Sequence, residues 1–131
     1  MKLLIGIATL VALATVVGAQ QMPEGCNTDL DFAQVIAAQA RADGDRWSFS
    51  ATVRHNDEGW DHYADEWRVE DLQTGEVYGV RTLYHPHDDE QPFTRSLSGV
   101  QIPAGVDRVL VRAKCNVHGY GGCGVVVDLR P

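Results

Sequence analysis

Asp43-Gly44-Asp45-Arg46-Trp47-Ser48-Phe49-Ser50-Ala51-Thr52-Val53-Arg54 is the stretch that decides the fold of this chain. Trp47, Phe49, Ala51 and Val53 alternate with Ser48, Ser50, Thr52 and Arg54. That period of two gives an extended segment one apolar face and one polar face, as in a half-buried strand. Asp43-Gly44-Asp45 is tight-turn chemistry and leads straight into the strand. The segment before it, 31–41, is rich in alanine, and Thr28 or Asp29 would cap it as a helix. The turn favours a strand instead, paired with its successor as a hairpin.

The same signals continue outward. Trp67 and Val69 alternate with Arg68 and Glu70, and Gln73-Thr74-Gly75 and Pro103-Ala104-Gly105 mark further turns. Seven strands are predicted, over 33–41, 46–55, 66–71, 76–84, 93–101, 107–115 and 123–130. Short strands at this spacing predict an all-β fold, a single antiparallel β-sandwich of the immunoglobulin-like or fibronectin-like kind. The sandwich would occupy 33–131 behind an N-terminal leader segment, 20–32.

Residues 1–19 read as an export signal. Lys2 gives a positive start, 3–17 is an apolar run, and Val17-Gly18-Ala19 suits a signal peptidase. Cleavage after Ala19 would leave 112 residues, enough for one core. Pro23-Glu24-Gly25 is not the small, aliphatic context of a lipid attachment site at Cys26. The whole chain carries −7, and −8 once Lys2 goes with the signal. Such a charge is repelled by nucleic acid and by anionic membranes, so neither is expected as a partner. The expected location is periplasmic or secreted, where disulfides persist.

If each strand reverses its predecessor, the connections 56–65, 85–92 and 116–122 emerge at one end of the sandwich. All five histidines, His55, His62, His85, His87 and His118, lie in or beside them. Loop clusters held by a rigid sandwich are common places for binding residues. Imidazole and carboxylate form a ligand set suited to Zn²⁺ or Cu²⁺. His85 and His87 point to the same side of an extended chain, which Pro86 favours for His85. With His118, and His62 next in line, they make the expected metal ligands. Trp60, Tyr63, Asp88, Glu90 and Tyr120 would share the rim. Arg95 directly follows the acidic loop and is expected to pair with it. Cys115 and Cys123 flank a glycine-rich loop and are expected to form a disulfide across it, leaving Cys26 over.

No nucleophile elbow is present, and Ser96 and Ser98 fall within a predicted strand, so no catalytic residues are assigned. The spacing matches neither a zinc finger nor an EF-hand.

Four stretches carry a resemblance: Gly59-Trp60-Asp61-His62-Tyr63-Ala64-Asp65, His85-Pro86-His87, Glu90-Gln91-Pro92-Phe93-Thr94-Arg95-Ser96-Leu97 and Val117-His118-Gly119-Tyr120-Gly121-Gly122. Over roughly 35–129 the chain resembles an uncharacterised family of small exported bacterial proteins. The resemblance implies common descent and export, and no activity. Cys115 and Cys123 depart from its pattern, where polar residues are expected.

The sequence therefore reads as an exported binding module, not an enzyme, that holds a divalent transition metal through histidines on one loop rim. The alternative is a protein-interaction domain whose histidine loops are structural and whose partner is an unidentified protein.

Overall fold

Period-two alternation is plain in the strands over 46–54 and 108–115, whereas Val125, Val126 and Val127 are buried in succession. In the computed structural model the backbone is described over 17–21 and the full chain over 25–130. The strands are β1 (Val17–Gln21), β2 (Gln34–Asp43), β3 (Arg46–Arg54), β4 (Ala64–Asp71), β5 (Val77–Thr82), β6 (Phe93–Val100), β7 (Arg108–Cys115) and β8 (Val125–Asp128). The seven predicted strands correspond to β2–β8, each within a few residues. The helical alternative at 31–41 gives way to β2, which pairs with β3 from Gln34–Arg54 to Asp43–Arg46 around Gly44. Most of the predicted export signal lies outside the described residues. Its last residues belong to β1, and the predicted cut after Ala19 falls within that strand.

One sheet runs β2-β3-β6 and the other β5-β4-β7-β8, with β1 paired to both β2 and β8 between them. All pairings between strands are antiparallel. This is the expected two-sheet sandwich. Its core is filled by Trp67, Phe49, Phe93 and a set of valines, including Val35, Val53, Val69, Val111 and Val127. No helix among the described residues is long and apolar enough to cross a membrane.

The leader is part of the packed structure. Residues 25–33 fold across one end of the sandwich and are tied down throughout. Asn27 N–H donates to the Gly121 carbonyl, and Asn56 N–H to that of Leu30. The Gln34 amide group donates to the carbonyls of Asn27, Asp29 and Phe32, while its own carbonyl accepts from Cys123 N–H. Gly122 makes this approach possible, because a Cβ there would stand 2.0 Å from the Ala33 carbonyl oxygen.

The disulfide is correspondingly different. Cys26 bonds to Cys123, 97 residues away, and Cys115 keeps a buried thiol. The expected Cys115–Cys123 pairing is thus corrected. Cys123 N–H and C=O are engaged by β2 through Gln34 and Val35, which turns the residue toward the leader. Cys115 instead faces Gly119 in an isolated bridge.

Candidate functional site

Strand parity delivers the first two site residues. On β3 the inward positions Phe49, Ala51 and Val53 are buried, and the next inward position is His55, 1% exposed. On β7 the inward series Val109, Val111 and Ala113 ends on Cys115, also 1% exposed. Both side chains enter the same open end of the core. The connection after β3 then folds back, with Glu58 N–H donating to the His62 carbonyl and His62 N–H to that of Gly59. This brings His62, which is partly buried, over the other two. The leader supplies the Asp31 carbonyl.

These groups converge closely. His55 Nε2 lies 3.2 Å from His62 Nε2. The Asp31 carbonyl oxygen is 3.0 Å from His55 Nε2, 3.2 Å from His62 Nε2 and 3.6 Å from Cys115 Sγ. Ligand atoms of His55, His62 and Cys115 all fall within 4.8 Å of one another. His118 closes the side: its N–H donates to Cys115 Sγ at 3.1 Å and its Nδ1 lies 3.6 Å from that sulfur. Its ring is 5.0 Å from that of His62 and 4.8 Å from Phe32.

Asp57 orients the cluster from behind. His55 Nδ1–H donates to Asp57 Oδ1 at 2.6 Å, and both side chains are fully buried. Asp57 also accepts from the N–H groups of Ala64 and His87. Burial pushes its carboxyl up, but the hydrogen bonds from His55, Ala64 and His87, with the attraction of the imidazole, outweigh burial and hold it below the usual carboxylate range. An ionised Asp57 accepts only, so Nδ1 of His55 carries a proton and the ring turns Nε2 toward the cluster. That nitrogen faces the Asp31 carbonyl oxygen. At 3.0 Å the two atoms are bridged by a proton on Nε2, and a cation could take that proton's place.

The structure brings His62 and His118 together, as their loops suggested, but not with the other expected pair. His85 is exposed, its ring 4.4 Å from that of His87. His87 is buried and stacks on Phe93 at 3.8 Å, while its Nε2 accepts from the Arg95 guanidinium at 2.9 Å. That nitrogen is already committed, and Nδ1 has no hydrogen-bond partner among the described residues. The site centres on His55, His62 and Cys115 instead of on His85 and His87. On the rim, Trp60 is 64% exposed and meets Tyr63 edge-on at 5.5 Å. Asp88 accepts from Gly59 N–H, which ties two loops together, and Glu90 lies 3.5 Å from Arg95. Tyr120 leaves the rim. Its hydroxyl donates to Glu66, and its ring lies under the guanidinium groups of Arg68 and Arg112.

His55 and Cys115 were legible in principle. Each extends the inward series of its strand by one step. The disulfide expectation concealed Cys115, and the loop-centred view passed over His55 at a strand end. Nothing in the sequence announces the Asp31 carbonyl, since every residue has one.

His87 carries a pH prediction. Burial, reinforced by the Arg95 guanidinium and the neighbouring His85 ring, holds its imidazole below the ordinary histidine value. The unfolded chain therefore takes up this proton more readily than the folded one. The neutral ring's contribution is complete above about pH 6.5 and is lost as pH falls below it, by at most about 1.4 kcal/mol per pH unit. Urea unfolding at pH 7 and pH 5 should show a smaller acid loss for His87→Phe than for the wild type. Equal losses would contradict this.

A protein of Halomicrobium mukohataei named "Putative lipoprotein" is 42% identical to this chain over 106 residues. The match covers 80% of the chain, which spans about half (51%) of that relative's length. No protein-family model and no solved structure matches.

Proposed function

We propose that this chain is an exported metal-binding module that holds a divalent transition metal, Zn²⁺ or Cu²⁺, through His55, His62 and Cys115. The observation that carries the reading is the convergence of two imidazole nitrogens, a thiol and a carbonyl oxygen, with a buried carboxylate fixing one ring from behind. Carboxylate–histidine–metal arrangements use such a partner to set the tautomer and raise ligand basicity. Separations of 3.0–3.6 Å between the two nitrogens and from the Asp31 oxygen to each donor match those around one ion with bonds of about 2.0–2.3 Å, and the sulfur lies within 4.8 Å of both nitrogens. Burial of His55 and Cys115 removes water as a competitor, and an acidic surface attracts cations. Export is supported by the leader composition, the disulfide and the name of the relative. The role would be buffering or delivery of the ion.

The test is thermal unfolding with and without metal, on protein freed of metal by chelation. At Zn²⁺ a hundredfold above its dissociation constant, stabilisation should be about 2.7 kcal/mol, a rise in Tm of the order of 10 °C. His62→Ala, changed at the partly exposed ligand, should abolish most of the rise, and the His85→Ala/His87→Ala double variant should keep it. If neither Zn²⁺ nor Cu²⁺ moves the wild-type Tm at neutral pH, the metal reading fails. The interaction-domain alternative would then rest on exposed Trp60 and Val117 at the same rim.

A further inference from the structure

The donor set says more than that a metal binds, and the following rests on the metal reading above. We propose that the resident ion is copper, and that the site is a one-electron redox centre with the Cys115 thiolate as its principal ligand. Two imidazoles and one thiolate in a trigonal array, with a weak backbone oxygen along the axis, favour copper electron-transfer chemistry. The four donors here have that composition. Their placement is compatible with a shared ion. With metal–nitrogen and metal–oxygen bonds of about 2.0–2.2 Å, the 3.0 and 3.2 Å separations of Asp31 O from the two nitrogens subtend about 90–100° at the ion. The 3.2 Å separation between the nitrogens subtends about 95–105° under the same bond lengths. The oxygen and the two nitrogens thus fit around one ion, with the Cys115 sulfur 3.6 Å from that oxygen.

Three further features suit electron transfer. His118 N–H donates to Cys115 Sγ, and hydrogen bonding to the thiolate is a means of setting the potential of such a centre. The Cys26–Cys123 disulfide occupies the other two cysteines, so Cys115 has no neighbouring free thiol within the chain with which to oxidise. His55 and Cys115 are buried whereas His62 is only partly so, which leaves one imidazole edge toward solvent as a route for the electron. In the step itself, Cu(II) bound to the thiolate accepts one electron from a single-electron reductant and becomes Cu(I). It returns that electron to a single-electron oxidant. No ligand bond breaks and no proton is transferred.

The experiment adds Cu(II) under argon to the full protein with its disulfide intact. The expected result is an intense visible thiolate-to-copper band that ascorbate bleaches and ferricyanide restores, with one electron per copper. Cys115→Ser should lose the band. Paramagnetic resonance of the wild type should show copper–sulfur covalency, which keeps the test decisive if that variant does not fold. If Zn²⁺ raises the Tm but Cu(II) gives no such band, or consumes the Cys115 thiol, the copper proposal is overturned and the metal reading stands. If neither ion changes the Tm, both fall.

Discussion

Cys26→Ser is expected to cost about 4–5 kcal/mol and to lower the Tm by roughly 20 °C. The Cys26–Cys123 bond spans 97 residues, so its loss returns nearly the whole described chain to an unconstrained denatured ensemble. It would also release the leader that carries the Asp31 carbonyl, and metal affinity should fall with it. Urea unfolding under non-reducing conditions checks this, with Cys115→Ser as the contrast. That variant breaks no crosslink and should cost only about 1–3 kcal/mol, for burying a hydroxyl where a thiol lay. Were Cys115 bonded to Cys123, the order would reverse. Cys26→Ser would then be nearly neutral and Cys115→Ser the more damaging. Cys115 should react with thiol reagents in the native protein far more slowly than after denaturation.

Asp57→Ala should be about as damaging, at about 3–5 kcal/mol. The change strands three donors, His55 Nδ1–H and the N–H groups of Ala64 and His87, around the space of a buried side chain. Two of them anchor separate connections, so the whole rim should loosen. Asp57→Asn separates the structural role from the chemical one. Its carbonyl can still accept from His55 and Ala64, but its amide group would oppose His87 N–H, donor against donor. A smaller loss of stability is expected, with metal affinity lowered about 10- to 100-fold because the partner of His55 is no longer charged. Chemical denaturation and a metal titration on the same variant give both numbers. A fully stable Asp57→Ala would mean that the three donors find other acceptors.

How far the sequence can be read depends on the range of the signal. Alternation along 46–55 is local, and packing enforces it, because a slip of one residue would turn every apolar side chain to water. The strands and their order along the chain were accordingly legible. So was the end of the sandwich where histidines gather, since parity of reversal fixes which connections are neighbours. Asp57 bridges the first and second of those connections through His87 N–H, while Asn116 bonds Tyr63 across the first and third. Which histidines meet was another matter. His85 and His87 share a short motif and invited pairing, yet a stacked Phe93 and the Arg95 guanidinium claim His87. No rule of spacing expresses that competition.

The sequence by itself determined the sandwich, the rim and the supply of imidazole, because hydrophobic alternation and turn chemistry act between residues close in the chain. Only the tertiary structure decided that Cys26 takes Cys123, that Cys115 stays a thiol, and that the Asp31 carbonyl enters the cluster. These contacts join residues tens of positions apart. They exist because the leader is bound across the end of the sheets by hydrogen bonds whose partners no local pattern names.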